Sequence, residues 1–221
     1  QAHILRSQAS LDGDWKFKRI TIEVDHNKID AMIMGKASTL GNGRWILDSC
    51  GTSEFYENKL LKGSDLESIL HAVHGNGLVF NYPGVGTSSG MPNRRAMAKA
   101  YRAMLHFLED EKNGIGAKEI IGYGYSIGGG VQGDALRNHS LKKNIKYVFL
   151  KSRTFSNLSS AVYHLTNTFL KLFVKITGWN LSSLESSRHL KAPEIIMQTA
   201  RVDEYEELHD SSKIIDDDVI A

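Results

Sequence analysis

Glu119-Ile120-Ile121-Gly122-Tyr123-Gly124-Tyr125-Ser126-Ile127-Gly128-Gly129-Gly130 decides the fold. An apolar run ends in Gly-x-Ser-x-Gly and passes into helix-compatible sequence. That order predicts a strand, a sharp turn at Ser126, and then a helix. The turn must be strained so that the Ser126 hydroxyl stands clear of the backbone. Gly124 and Gly128 flank it because a Cβ at either place would collide with the neighbouring strand or helix. The helix that follows would aim its first N–H groups at the site, where an oxyanion could form.

Working outward, strands alternate with helices. Trp15 to Asp25 carries Ile20, Ile22 and Val24 in alternation, and Asp25-His26-Asn27-Lys28 reads as a turn. Lys28 to Gly35 is the returning strand, with Ile29, Ala31 and Ile33 on one face. Residues 44–49, 77–81, 118–124, 145–151 and 194–199 are strand candidates, the first two reading as short buried strands. Between them, Leu66, Ile69, Leu70 and Val73 share one helical face. A second helix opens at Pro92, a favoured first-turn position. Its stripe is Met97, Ala100, Tyr101, Met104 and Leu108. A third follows Ser126 to about His139. This rhythm predicts an α/β fold: a mostly parallel sheet covered on both faces, with an antiparallel hairpin at its N-terminal edge.

Composition narrows the function. Lys and Arg number 27 against 25 Asp and Glu, for a net charge of +2. That balance gives no case for nucleic acid as a partner. The single cysteine, Cys50, excludes an internal disulfide and a cysteine-based zinc site. No signal-peptide pattern opens the chain, and no apolar run approaches the ~18–20 residues that span a bilayer. Gln1 is not an initiator methionine, so the sequence is expected to begin inside a longer protein. Residues 1–14 read as a lead-in and 15–221 as a single domain.

The Ser126 stretch and its neighbours resemble the α/β-hydrolase superfamily. Asn81 to Gly90 is similar to that family's loop after the fourth strand. Trp45 to Thr52 looks like the strand that ends in its His-Gly oxyanion loop, with Cys50 in place of the histidine and Gly51 retained. Pro193 to Asp203 looks like the strand and loop that deliver the catalytic acid. A closer likeness joins Asn81-Tyr82-Pro83-Gly84-Val85, the Gly-Gly-Gly-Val-Gln after Ser126 and the Asp-Ser-Ser-Lys-Ile-Ile tail. These resemble the chlamydial hydrolase-like family and the SidB-type secreted effectors of Legionella. The resemblance implies Ser126 as nucleophile and the Ile127 N–H as one oxyanion donor. Thr52 would be the second donor, with Ser53 the alternative. Asp203 would be the acid, against Glu204 and Asp210. It further implies a carboxylic ester or thioester substrate and no metal or organic cofactor.

Histidine is the difficulty. Of nine, only His209 follows Asp203, six residues on. The usual fold places another helix and strand between acid and base. The chain is therefore expected to stop short of the last strand and its histidine, with His209 as the alternative base. Cys50 reads as a small core hydrophobe, and Asp216-Asp217-Asp218 as a solvated tail without calcium-loop spacing. Residues 157–179 carry Val162, Leu165, Phe169, Leu172, Phe173 and Ile176 on one face. They form either a lid over the site, within an insertion at 157–187, or a helix packed on the sheet. A lid would suit an acyl or lipid-like substrate and peripheral membrane contact. Two functions remain: a serine hydrolase, or a non-catalytic hydrolase-fold module that binds a partner. Either fits a cytoplasmic protein or a secreted bacterial effector.

Overall fold

The computed structural model describes residues 14–52, 54–154, 187–188 and 190–198. Strand β1 (Trp15–Val24) turns at Asp25 and His26, both with positive φ, into β2 (Asn27–Lys36). The two pair antiparallel along their whole length. β1 is the outer strand, and it alternates half-buried Ile20, Ile22 and Val24 with exposed neighbours. β2 departs from the one-faced strand expected of a hairpin. It also pairs with β4 (Asn76–Phe80), so both its faces are covered. Ile29, Asp30, Ala31, Met32 and Met34 are all buried.

Beyond β4 the sheet runs parallel through β3 (Arg44–Ser49), β5 (Glu119–Tyr125), β6 (Lys146–Ser152) and β7 (Glu194–Met197). The order is β1-β2-β4-β3-β5-β6-β7. The five parallel strands lie within two residues of the ranges read from sequence.

Among the described residues three longer helices connect the strands: α2 (Asp65–Val73), α3 (Arg94–Glu109) and α4 (Ile127–Leu136), after the short turn α1 (Tyr56–Lys59). The crossover from β3 to β4 and the next, from β4 past β3 to β5, run in opposite directions along the sheet. Right-handed connections therefore put α2 and α3 on opposite faces. α3 begins two residues later than Pro92. Asn93 is its N-cap, accepting a hydrogen bond from the Ala96 N–H at 2.9 Å. An asparagine side chain satisfies an end N–H that the proline ring cannot. The predicted stripe of α3 is buried throughout: Met97, Ala100, Tyr101, Met104 and Leu108. Burying such side chains is worth roughly 1.5–3 kcal/mol each.

Two ion pairs, one half-exposed and one buried, tie down two outer parts of the sheet. Asp30 accepts from Arg19 Nε at 2.6 Å and from Tyr56 Oη at 3.2 Å, and Thr87 Oγ1 also donates to it. Ser88 Oγ accepts the Asp30 N–H and donates to the Asn81 carbonyl. The loop after β4 is thus fastened to β2. At the other side Lys151, wholly buried on β6, meets Glu194 of β7 at 2.8 Å.

Candidate functional site

All five parallel strands end at one edge of the sheet, and the chain turns back there at Ser126. β5 stops at Tyr125, Ser126 takes φ 52° and ψ −119°, and α4 starts at Ile127. That backbone is strained for any residue with a Cβ. The flanking glycines make it fit. A Cβ on Gly124 would lie 2.6 Å from Gly129 Cα, and one on Gly128 would lie 2.0 Å from the Ser49 carbonyl oxygen. Both obstacles are backbone, so neither can step aside.

The turn is braced from β6. The Ser126 N–H donates to the Ser152 carbonyl at 2.9 Å. The Ser126 carbonyl accepts from the Gly129 N–H at 3.0 Å and from Thr154 Oγ1 at 3.2 Å. The Ser126 side chain makes no capping bond to α4 and is half-buried, so its hydroxyl stands at the strand end beside the start of a helix. Ile127 is the first residue of that helix, where backbone N–H groups lack intrahelical partners.

The loop after β3 comes alongside. Ser49 pairs with Gly124 across the sheet, and Cys50 is buried. Burial and the nearby Asp48 push the Cys50 thiol well above its ordinary range. It stays a thiol, as a core hydrophobe would. Tyr82 Oη is 2.6 Å from Ser49 Oγ and donates to the Cys50 carbonyl at 3.0 Å, which fixes the loop from below. Thr52 is exposed in the turn that follows, and Ser53 lies outside the described residues.

One carboxylate here was not visible in the sequence. Glu54 Oε2 accepts the Gly51 N–H at 2.6 Å and sits 3.4 Å from Lys59 Nζ. Lys59 is almost wholly buried and lies over the Tyr125 ring, 5.5 Å from its centroid. Beneath it on β3 is Asp48, fully buried, with neither carboxylate oxygen hydrogen-bonded among the described residues. Burial pushes the Asp48 carboxyl up to about 7, while Lys59 pulls the other way. Burial pulls the Lys59 ammonium down, but Asp48 and Glu54 more than offset it, and its net direction is upward. Asp48 sits inside the Trp45–Ser49 run, where any strand residue reads as core. Glu54 and Lys59 follow it in a loop and a short helix that carry no periodic pattern.

β7 carries the chain to the same edge. The Arg153 N–H donates to the Met197 carbonyl at 2.8 Å, and Gln198 Nε2 to the Thr154 carbonyl at 2.8 Å. Asp203, Glu204, His209 and Asp210 lie beyond this point, outside the described residues, as does the 157–179 segment. Five histidines are described, and none is a hydrogen-bond partner of Ser126. His26 is the one nearest this edge by topology, in the β1–β2 turn. It is three strands from β5, or ~14 Å at the usual strand spacing. His71 packs on Trp15, His74 ends α2, and His106 and His139 lie together at the far edge.

The family model described as Chlamydia CHLPS protein (DUF818) matches residues 3–221. Comparison with curated proteins gives no match. Among solved structures, an alpha-beta hydrolase from Vibrio vulnificus is similar at TM-score 0.64 and 18% identity, with 81% of this chain aligned to 62% of that one. An esterase of Pyrococcus furiosus gives 0.56 and 19%, covering 82% of this chain and 69% of its own. Carboxyl esterase 2 of the fungus Tuber melanosporum gives 0.57 and 14%, covering 85% and 67%. At such identities the likeness is one of fold: an α/β-hydrolase sheet, of which this chain spans about two thirds of the relatives' length.

Proposed function

The chain belongs to the Chlamydia CHLPS protein family, and from that premise and its hydrolase fold we propose that it is a serine hydrolase acting on a carboxylic ester or thioester. Ser126 Oγ attacks the acyl carbonyl. The N–H groups of Ile127 and Thr52 take the oxyanion, each such donor being worth ~3–4 kcal/mol in the transition state. An imidazole removes the serine proton, and Asp203 orients that imidazole. Within this sequence His209 alone of the histidines follows Asp203, and it stands as the alternative base. The leaving alcohol or thiol takes the proton back, and water then releases the acid product.

The observation that carries this reading is the strained backbone of Ser126 between two glycines that have no room for a side chain. A merely structural serine would need neither. Strain of this kind costs ~1–3 kcal/mol and persists where a function uses it. The apolar side chains of 157–179 would suit an acyl or lipid-like substrate held near a membrane surface.

A second reading rests on one contact. Glu54 already occupies the Gly51 N–H in the loop that should serve the oxyanion, and Cys50 stands where a histidine is usual. In that reading the protein is a hydrolase-fold binding module, cytoplasmic or secreted as an effector. A fluorophosphonate probe distinguishes the two. Labelling of the full-length protein that disappears in Ser126→Ala supports the hydrolase. No labelling above background in the folded protein overturns it and leaves the binding module.

A further inference from the structure

The sheet edge opposite Ser126 holds a second cluster of chemically capable side chains. His106 and Glu109 stand three residues apart in the last turn of α3, on one face of the helix. His139 lies three residues past the end of α4. α4 runs back from Ser126 for ten residues, ~15 Å of helix. This cluster is therefore no part of the Ser126 site.

Its geometry is that of a ligand set. His139 Nε2 is 2.8 Å from Glu109 Oε1, and His106 Nδ1 is 3.4 Å from Glu109 Oε2. The ligand atoms of all three residues lie within 4.8 Å of one another. Around a tetrahedral zinc ion, with bonds of ~2.0–2.2 Å, ligand atoms stand ~3.3 Å apart. The His106 Nδ1–Glu109 Oε2 separation already matches, and the three ligand atoms, one from each residue and within 4.8 Å of one another, draw together by at most about 1.5 Å on binding. Glu109 Oε2 is buried and has no hydrogen bond among the described residues. Its 3.4 Å contact with His106 Nδ1 is no hydrogen bond, and a buried carboxylate oxygen without one costs ~1–3 kcal/mol, which is the independent sign of a further partner.

The surroundings suit a cation. The Glu109 carboxylate is buried and takes His139 and Tyr147 on its Oε1. Tyr147 Oη donates to Glu109 Oε1 at 2.6 Å and fixes the carboxylate plane. That is the role of outer partners at metal sites. Lys142 spends its ammonium on the Glu109 carbonyl, at 2.9 Å, rather than on the carboxylate. His106 is exposed, which leaves a fourth position open to water.

We propose that His106, Glu109 and His139 bind one divalent transition cation of the zinc class, joining the end of α3 to the loop after α4. Water fills the fourth position, and His139 Nε2 exchanges its hydrogen bond to Glu109 for a bond to the metal.

Titrating the full chain with Co²⁺ tests this. The result expected is one equivalent bound, with the intense visible absorption of a four-coordinate site, and displacement by Zn²⁺. His106 is exposed, so His106→Ala leaves metal-free melting unchanged while weakening Co²⁺ affinity more than about 10-fold. Glu109→Gln weakens it likewise, and Ser126→Ala leaves it alone. If no equivalent binds, or if His106→Ala and Glu109→Gln both bind Co²⁺ as the unmutated chain does, the proposal is overturned.

Discussion

The two edges of this sheet are built on different principles. At the strand C-termini, Ser126 is held through its backbone: a positive φ, two glycines without room for a Cβ, a hydrogen bond to the Ser152 carbonyl and two more from Gly129 and Thr154. At the strand N-termini, Glu109, His139 and Tyr147 are held by one another's side chains. The first arrangement is contiguous in sequence and shows as a motif. The second joins a helix end to a loop thirty residues away and leaves no motif. A backbone-built site tolerates almost no change in shape. A side-chain-built site tolerates shape but not a change of charge.

The sharpest break of that comparison is at Ser126 itself. Ser126→Gly should abolish fluorophosphonate labelling and cut ester turnover by ~10⁴-fold or more, as loss of a nucleophile does. It should also melt above Ser126→Ala by about 1 kcal/mol, because glycine relieves the strain that alanine keeps. Calorimetry of the two variants checks this. Equal melting would mean that the turn stores no strain. Next in size is Gly128→Ala. Its methyl would meet the Ser49 carbonyl at 2.0 Å. Overpacking of that kind costs typically ~1–3 kcal/mol and occasionally more. Urea unfolding should put this variant at or above the top of that range, and a loss below ~1 kcal/mol would show that α4 can slide.

These contrasts explain how much the sequence could tell. β3, β4 and β5 were legible because buried strands are continuous apolar runs bounded by turns. β6 alternates and β7 leaves Ile195, Ile196 and Met197 exposed, so those two were legible by their short apolar runs alone. Ser126 was legible because its constraint lies within five residues. The two-faced burial of β2 was not, because insertion between β1 and β4 is decided by pairing and not by the strand's own pattern. Nor was the start of α3 at Arg94: Pro92 and Asn93 both signal a helix start, and the asparagine's hydrogen bond decided it. Glu54 on the Gly51 N–H, Lys59 over Tyr125, and the His106–Glu109–His139 cluster each depend on side chains meeting across separate elements. No local period encodes that.

Asp48 and Lys59 put a side-chain device beneath the backbone-built edge, and pH tests it. Burial raises the folded Asp48 carboxyl to about 7 from an ordinary 3.8. Between those values the folded state holds a proton that the unfolded state has lost. This contribution to stability is complete below the unfolded value and declines as pH rises toward 7. The slope is about 1.4 kcal/mol per pH unit over that window. Melting curves from pH 4 to 8 should show Asp48→Asn losing this decline relative to the unmutated chain. Parallel curves would mean that Asp48 is ionised and fully compensated by Lys59 across the range.

The smallest effect bears on whether the two edges are independent at all, since α3 touches both. Its N-cap, Asn93, sits at the Ser126 edge, and its last turn carries His106 and Glu109 sixteen residues of helix away, ~24 Å. Asn93→Ala removes the acceptor for the Ala96 N–H and should cost about 1 kcal/mol. His139→Ala takes from Glu109 Oε1 one of its two donors, His139, and leaves Tyr147. Denaturant unfolding of each variant and of the pair gives a double-mutant cycle. Sites this far apart with no shared partner should add within ~0.3–0.5 kcal/mol. Additivity is the expected outcome, since α3 is anchored along its length by Met97, Tyr101, Met104 and Leu108 in the core. Fraying at one end is stopped by that packing before it reaches the other. A coupling well above that limit would mean that α3 shifts as a rigid rod. A cation held at Glu109 would then act on the Ser126 edge through the helix, and the two regions would be one system.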